Sequence, residues 1–239
     1  SMAAAWMLRK SGEPLLHGIP GARKPITFIE DNAIPIERLS EFVRELRAIV
    51  ASHGTRAAYY AHASVGVLHV RPLLDVHDDA DLARMRAIAV EAADLARCLG
   101  GVMSGEHGDG RVRTPLLERH FGPDLMRAFA DVKRAFDPAN LLNPGNIVQI
   151  GEGPVRTLPT MTGAMRVKPL GRPVPVPAGT ETYFDYADQH GLDGAVEMCN
   201  GAGVCRKKQG GTMCPSYQAT LDERHSTRGR GNALRLAIT

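Results

Sequence analysis

Ala57-Ala-Tyr-Tyr-Ala-His62-Ala-Ser-Val-Gly66-Val-Leu-His69-Val-Arg71-Pro-Leu-Leu74 decides the architecture. Ala57 to Ala61 and Val67 to Leu74 read as two strands, and Ser64-Val65-Gly66 as the tight turn joining them. A hairpin makes the sheet antiparallel at this point. It also bears on chemistry. His62 and His69 are seven positions apart, an odd separation that would put them on opposite faces of one unbroken strand. A turn removes that objection, because it can bring both ends of the loop together.

The flanks supply helices. Ile26-Thr-Phe-Ile-Glu30 suits a strand, and Pro35 sits well at the first position of a helix. Ile36, Leu39, Val43, Leu46 and Val50 then lay one apolar stripe along it. Leu82, Met85, Ile88, Ala92 and Leu95 form a second stripe, ended by Gly100-Gly101, and Val102-Met103 reads as a further strand. Leu125, Phe129, Val132 and Phe136 form a third stripe, closed by Asp137-Pro138. The order predicts an α+β fold: a mainly antiparallel sheet with helices on one face. Regular periodicity stops near residue 150. Pro154, Pro159, Pro169, Pro173, Pro175 and Pro177 mark residues 151–180 as an extended connector. Residues 1–150 are then one domain and 181–239 a small helical segment.

Ser104-Gly-Glu106-His107-Gly108-Asp-Gly110 packs a carboxylate and an imidazole between glycines. Two histidines and a glutamate suit Zn²⁺ or another first-row divalent ion, and three protein ligands leave a position open for substrate. The ligand set is His62, His69 and Glu106, with His107 free for proton transfer. Taken singly, each histidine is better read as a hydrogen-bonded core residue. The set reads as a site mainly because Gly105, Gly108 and Gly110 have no evident packing purpose. Arg71 shares the His69 face and reads as a carboxylate clamp or as a surface ion pair.

Net charge is +3, from 29 basic and 26 acidic residues. That balance gives no case for nucleic acid. No apolar run is long enough to span a bilayer. Three of the four cysteines, Cys199, Cys205 and Cys214, crowd the last quarter, which favours a metal or cluster site in a reducing, cytoplasmic setting. Cys98, late on an amphipathic stripe, reads as buried packing.

The hairpin histidines, the Ser104–Gly110 loop and Phe136-Asp-Pro-Ala-Asn-Leu-Leu-Asn143-Pro-Gly145 together resemble the C-terminal domain of FAD-linked oxidases. That family includes D-lactate, glycolate and D-2-hydroxyglutarate dehydrogenases. The resemblance implies a ferredoxin-like cap that supplies metal and substrate residues over an FAD held mostly by another domain. It places the metal on His62, His69 and Glu106, the base on His107, and Asn143, with the loop glycines 105 and 108, near the flavin. Many members carry Gly-Asp-Gly-Asn where this chain has Ser64-Val65-Gly66-Val67.

Phe28-Ile-Glu-Asp-Asn-Ala-Ile-Pro35 and Leu68-His-Val-Arg-Pro72 are similar to a subgroup that fuses oxidase and iron–sulfur regions. Met213-Cys-Pro-Ser-Tyr217 and the Arg228-Gly-Arg230 region are similar to its first cluster motif. A [4Fe–4S] cluster normally needs four thiolates, and Cys199, Cys205 and Cys214 supply three. The expectation is a piece of a longer polypeptide whose flavin domain and further cysteines lie elsewhere, inactive in isolation. Its partners would be a 2-hydroxy acid and a downstream electron acceptor, with a location in the cytoplasm or at the periphery of the inner membrane. The rivals are a metal-dependent hydrolase on the same His/His/Glu site and a non-catalytic electron-transfer module.

Overall fold

The computed structural model describes residues 1–19, 21–163, 181–189, 191–199 and 203–238. The chain divides into two units, Pro25–Ala164 and a second made of Ser1–Lys24 with Met165–Thr239. The second unit begins with α1 (Met2–His17), whose first turn is capped by the Ser1 side chain accepting from the Ala4 amide.

In the Pro25–Ala164 unit the hairpin forms as the sequence predicts, and α+β is the observed class. Four strands, β1 (Lys24–Pro25), β2 (Asn32–Ala33), β3 (Ala57–His62) and β4 (Val67–Leu74), form one sheet. β4 is central, with β3 antiparallel along one edge and β1 and β2 on the other. The turn is a single 3₁₀ turn, Ala63–Val65, closed by Gly66 in the left-handed region. Val102 bridges Ala33, so the strand expected at Val102-Met103 is reduced to one antiparallel pair.

Successive strand residues point to opposite faces. Leu68, Val70 and Leu74 of β4 join one buried cluster with Phe42, Leu46 and Val50 of α2 (Leu39–Ser52). Met85, Ile88, Ala89 and Ala92 of α3 (Asp79–Cys98) complete it. Both long helices therefore cover one face of the sheet. His69 and Arg71, at the alternate β4 positions, belong to the other face. α3 starts where Asp78 accepts a hydrogen bond from the Ala80 amide, satisfying one of the orphan donors of its first turn.

Four expectations are corrected. Residues 26–30 are not a strand. Phe28 and Ile29 turn into the core, and Asp31 takes φ +88°, a conformation incompatible with an extended ladder. Ile36 of the first stripe is exposed, because the chain first forms a 3₁₀ turn, Ile36–Arg38, before α2. Cys98 is exposed, since it is the last residue of α3 rather than part of its packed stripe.

The third stripe forms a helix but not a buried one. After α4 (Gly110–Arg113) and α5 (Leu117–Phe121), α6 (Pro123–Phe136) has no buried residue, and Phe136 is 86% exposed. Phe129 packs edge-on against Phe121, 5.6 Å between ring centres. Periodicity reports an apolar face, not what covers it.

The expected connector opens on this unit. Met161 is buried in its core and Leu158 packs against it, while residues 164–180 lie outside the described residues. In the second unit, α7 (Leu192–Glu197), α8 (Pro215–Thr220) and α9 (Thr227–Ile238) give a helical segment after residue 181. Among the described residues no helix is long and apolar enough to cross a membrane.

Candidate active site

The hairpin register pairs Tyr60 with His69, His62 with Val67 and Ala58 with Arg71. Directly opposed residues share a face, so Tyr60, His62, His69 and Arg71 all project from the face away from the helices. The His62 and His69 rings lie 5.3 Å apart and nearly perpendicular, and the Tyr60 ring is 5.5 Å from each. His69 is 5% exposed, and its Nδ1 is buried without a hydrogen-bond partner. Burial lowers its pKa, favouring the neutral ring that a metal needs.

The Ser104–Gly110 loop meets this face because residue 31 holds it there. The Asp31 carboxylate accepts from Ser104 Oγ (2.6 Å), the Glu106 amide (2.9 Å) and the His107 amide (2.7 Å). Burial alone would raise the Asp31 pKa. The hydrogen bonds from Ser104, His107 and Glu106 outweigh it, and the net shift is downward. Gly105 does have a packing purpose, contrary to expectation: a Cβ there would lie 2.8 Å from the Ala33 Cβ. Gly108 and Gly110 meet no such neighbour and serve by conformation, at φ +75° and +52°.

Arg113 braces the loop from behind. Its guanidinium donates to the carbonyls of Glu30, Met103 (3.3 Å) and Gly108 (3.4 Å).

The outcome is a tight cluster. One ligand atom each from His62, His69 and Glu106 lies within 4.8 Å of the others, and so do those of Glu30, His69 and His107. The His107 ring stacks on His69, 5.1 Å between centres, and its Nδ1 is 3.5 Å from Glu30 Oε1. Arg71 faces the cluster, with its Nε donating to Glu30 Oε2 at 2.5 Å. Glu30, Asp31 and Arg113 were not singled out from the sequence. The available signal was a Glu-Asp pair directly after Thr27-Phe-Ile, where a strand reading assigns the carboxylates no partner.

Asn143 is exposed at φ +50° on the turn after α6. Asp137 shapes that turn, accepting from the Lys133 side chain and from the Leu141 (2.9 Å) and Leu142 (2.8 Å) amides. The Ile147 amide donates to Thr114 Oγ1 (2.8 Å), tying the turn to the chain just after the glycine loop.

The hydrogen bonds from Lys133 and Leu142 pull the Asp137 carboxyl down from 3.8 to about 2. A depressed carboxylate stabilises the fold fully above its unfolded value, and that contribution is lost as pH falls through the folded one. Wild type should therefore lose stability between about pH 4 and pH 2 in part through this turn. Asp137→Asn should flatten that part of a denaturation profile measured against pH.

A family model described as the C-terminal domain of FAD linked oxidases matches residues 1–147. The chain belongs to that family. D-2-hydroxyglutarate dehydrogenase of Escherichia coli K12 is 36% identical over 232 residues, 96% of this chain and 21% of the relative. Its counterpart in Pseudomonas putida KT2440 is 33% identical over 98% of this chain and 22% of the relative. A D-lactate dehydrogenase of Archaeoglobus fulgidus is 33% identical over 54% of this chain and 28% of the relative. The chain thus spans about a fifth of the length of its D-2-hydroxyglutarate dehydrogenase relatives. In this member of the FAD-linked oxidases, the candidate site lies on the sheet face opposite α2 and α3.

The cysteines lie in the second unit. Cys214 sits at φ +51° before α8, and its Sγ accepts from the Thr227 amide (3.1 Å) and contacts Thr227 Oγ1 (2.6 Å). Those hydrogen bonds, the side chain's first, lower the thiol's pKa and favour the thiolate. Among the described residues, Cys199, Cys205 and Cys214 are not a set whose sulfurs all lie within 4.8 Å of one another, and Cys199 borders residues 200–202, which are outside the described set.

Proposed function

We propose that this chain is the substrate and metal cap, with the first iron–sulfur segment, of an FAD-dependent dehydrogenase of D-2-hydroxy acids. The carrying observation is the meeting of His62, His69 and Glu106, with His107 stacked alongside. The donor set fits a first-row divalent ion such as Zn²⁺: two imidazoles, one carboxylate, and a buried ring nitrogen of His69 that has no partner.

An ion held by His62, His69 and Glu106 would supply Lewis-acid chemistry to a bound 2-hydroxy acid. FAD, held chiefly by another part of the polypeptide, would supply the hydride acceptor, and Asn143 on its exposed turn would be available to contact it. His107 takes the hydroxyl proton. Its Nδ1 points to Glu30, which leaves Nε2 as the base. Arg71 offers a guanidinium edge to a carboxylate from the same face, while Glu30 fixes its direction. Cys199, Cys205 and Cys214 would supply three of the four thiolates of a [4Fe–4S] cluster, a group suited to single-electron transfer.

The names of the relatives support the substrate class, and 2-hydroxyglutarate is its first candidate. The test is turnover of D-2-hydroxyglutarate, D-lactate and glycolate by the complete polypeptide before and after chelation. Turnover that falls on chelation and returns with Zn²⁺, Mn²⁺ or Co²⁺ is expected. Full activity in the metal-free protein would overturn the reading.

A further inference from the structure

We propose that Asp31 is the positioning residue of this site: its buried carboxylate gathers the Ser104–His107 loop so that Glu106 and His107 project together toward the hairpin histidines. The inference rests on the roles proposed above for Glu106 and His107, and concerns what holds them in place.

All four residues of the loop are bonded to this one position. Ser104 Oγ, the Glu106 amide and the His107 amide donate to the carboxylate, and the Gly105 amide donates to the Asp31 main-chain carbonyl at 2.9 Å. Asp31 is 0% exposed, so the acceptor side of these bonds is buried. An ionised carboxylate is an acceptor only, and each of its hydrogen-bond partners here is a donor. Bonds to a charged acceptor are shorter and stronger than neutral ones. Asp31 is also held at φ +88°, a conformation that persists only where the surroundings over-determine it. The Asp31 amide supplies one such constraint by donating to Leu68 O of β4 at 2.8 Å. Asp31 thus fastens the loop to the strand that carries His69.

The three donors converge on Oδ2, and the Glu106 amide also reaches Oδ1 at 3.1 Å. Asparagine, of nearly the same volume, replaces the charged acceptor with a neutral one and in either orientation sets an NH2 donor against at least the Glu106 amide. Asp31→Asn in the 239-residue chain should therefore speed hydrogen exchange of the 104–109 amides by about tenfold or more. Exchange across α2 and α3 should stay unchanged. Zn²⁺ affinity, measured by competition with a chelating dye, should fall about 10- to 100-fold. In a Glu106→Gln background Asp31→Asn should weaken Zn²⁺ little further, because it acts through Glu106.

Unchanged exchange at 104–109, or equal weakening of Zn²⁺ binding in both backgrounds, would overturn the proposal. If Asp31→Asn speeds exchange in α2 and α3 as well, Ser104→Ala decides: acceleration confined to 104–109 supports it, and none contradicts it. A wild-type chain that takes no Zn²⁺ would count against the metal reading instead, and the exchange measurement would then judge Asp31 by itself.

Discussion

Replacing His107 with alanine should lower kcat of the complete polypeptide by about 10²- to 10⁴-fold, the usual contribution of a positioned general base. KM for the 2-hydroxy acid should change far less, because His107 is not among the three groups assigned to the ion. Its ring stacks on His69, yet it is the most open of the cluster's imidazoles, with its side chain 46% exposed. Glu30 lies 3.5 Å from its Nδ1 and is itself held by the Arg71 Nε. A ring oriented through one nitrogen presents the other to substrate. Metal content of His107→Ala should match wild type, which separates loss of the base from loss of the ion. Full retained activity would remove His107 from the mechanism.

Gly66→Ala should be the most damaging single-methyl change in the hairpin. Gly66 has φ +74°, where an L-residue with a Cβ pays about 1–2 kcal/mol. The added Cβ would also land well inside contact distance of the Ile34 carbonyl oxygen and carbon, both backbone atoms with no rotamer to change. The approach is fixed from both sides, since the Ile34 amide donates to the Gly66 carbonyl at 2.9 Å. The expected loss is about 4 kcal/mol or more, exceptional for one substitution and a large fraction of a domain's total. Chemical denaturation should show it directly. His62 and His69 would lose their shared register in the same variant, so Zn²⁺ binding should fall with stability. A loss below about 1 kcal/mol would mean that the β2 strand and the turn can separate freely.

How much was legible follows from range in sequence. The hairpin could be read because its evidence is local: two apolar runs and a glycine turn. The two long helices were equally clear, since Leu46, Val50, Met85 and Ile88 of their stripes are buried, although the first stripe included the exposed Ile36 and left out the buried Phe42. His62, His69, Glu106 and His107 were found because two short glycine-bearing segments carried them, and the fold brings those segments together. Asp31 escaped because its function depends on a loop more than seventy positions later, a contact no local pattern encodes. The 26–30 segment was misread for a related reason. Its apolar residues suit a strand, but burying Phe28 and Ile29 while turning Asp31 toward the loop overrides that preference. The exposed stripe of α6 marks the remaining limit, because amphipathicity does not name a partner. The hydrolase alternative used the same geometry, and membership of the FAD-linked oxidases removes its motivation.

The most direct test is anomalous diffraction at the zinc edge from crystals of this chain grown with stoichiometric Zn²⁺. A single strong peak within about 2.0–2.3 Å of one nitrogen each of His62 and His69 and an oxygen of Glu106 is the predicted result. A peak seated on His107 and Glu30 instead, or an ordered His62–His69–Glu106 cluster with no peak at saturating zinc, would contradict it.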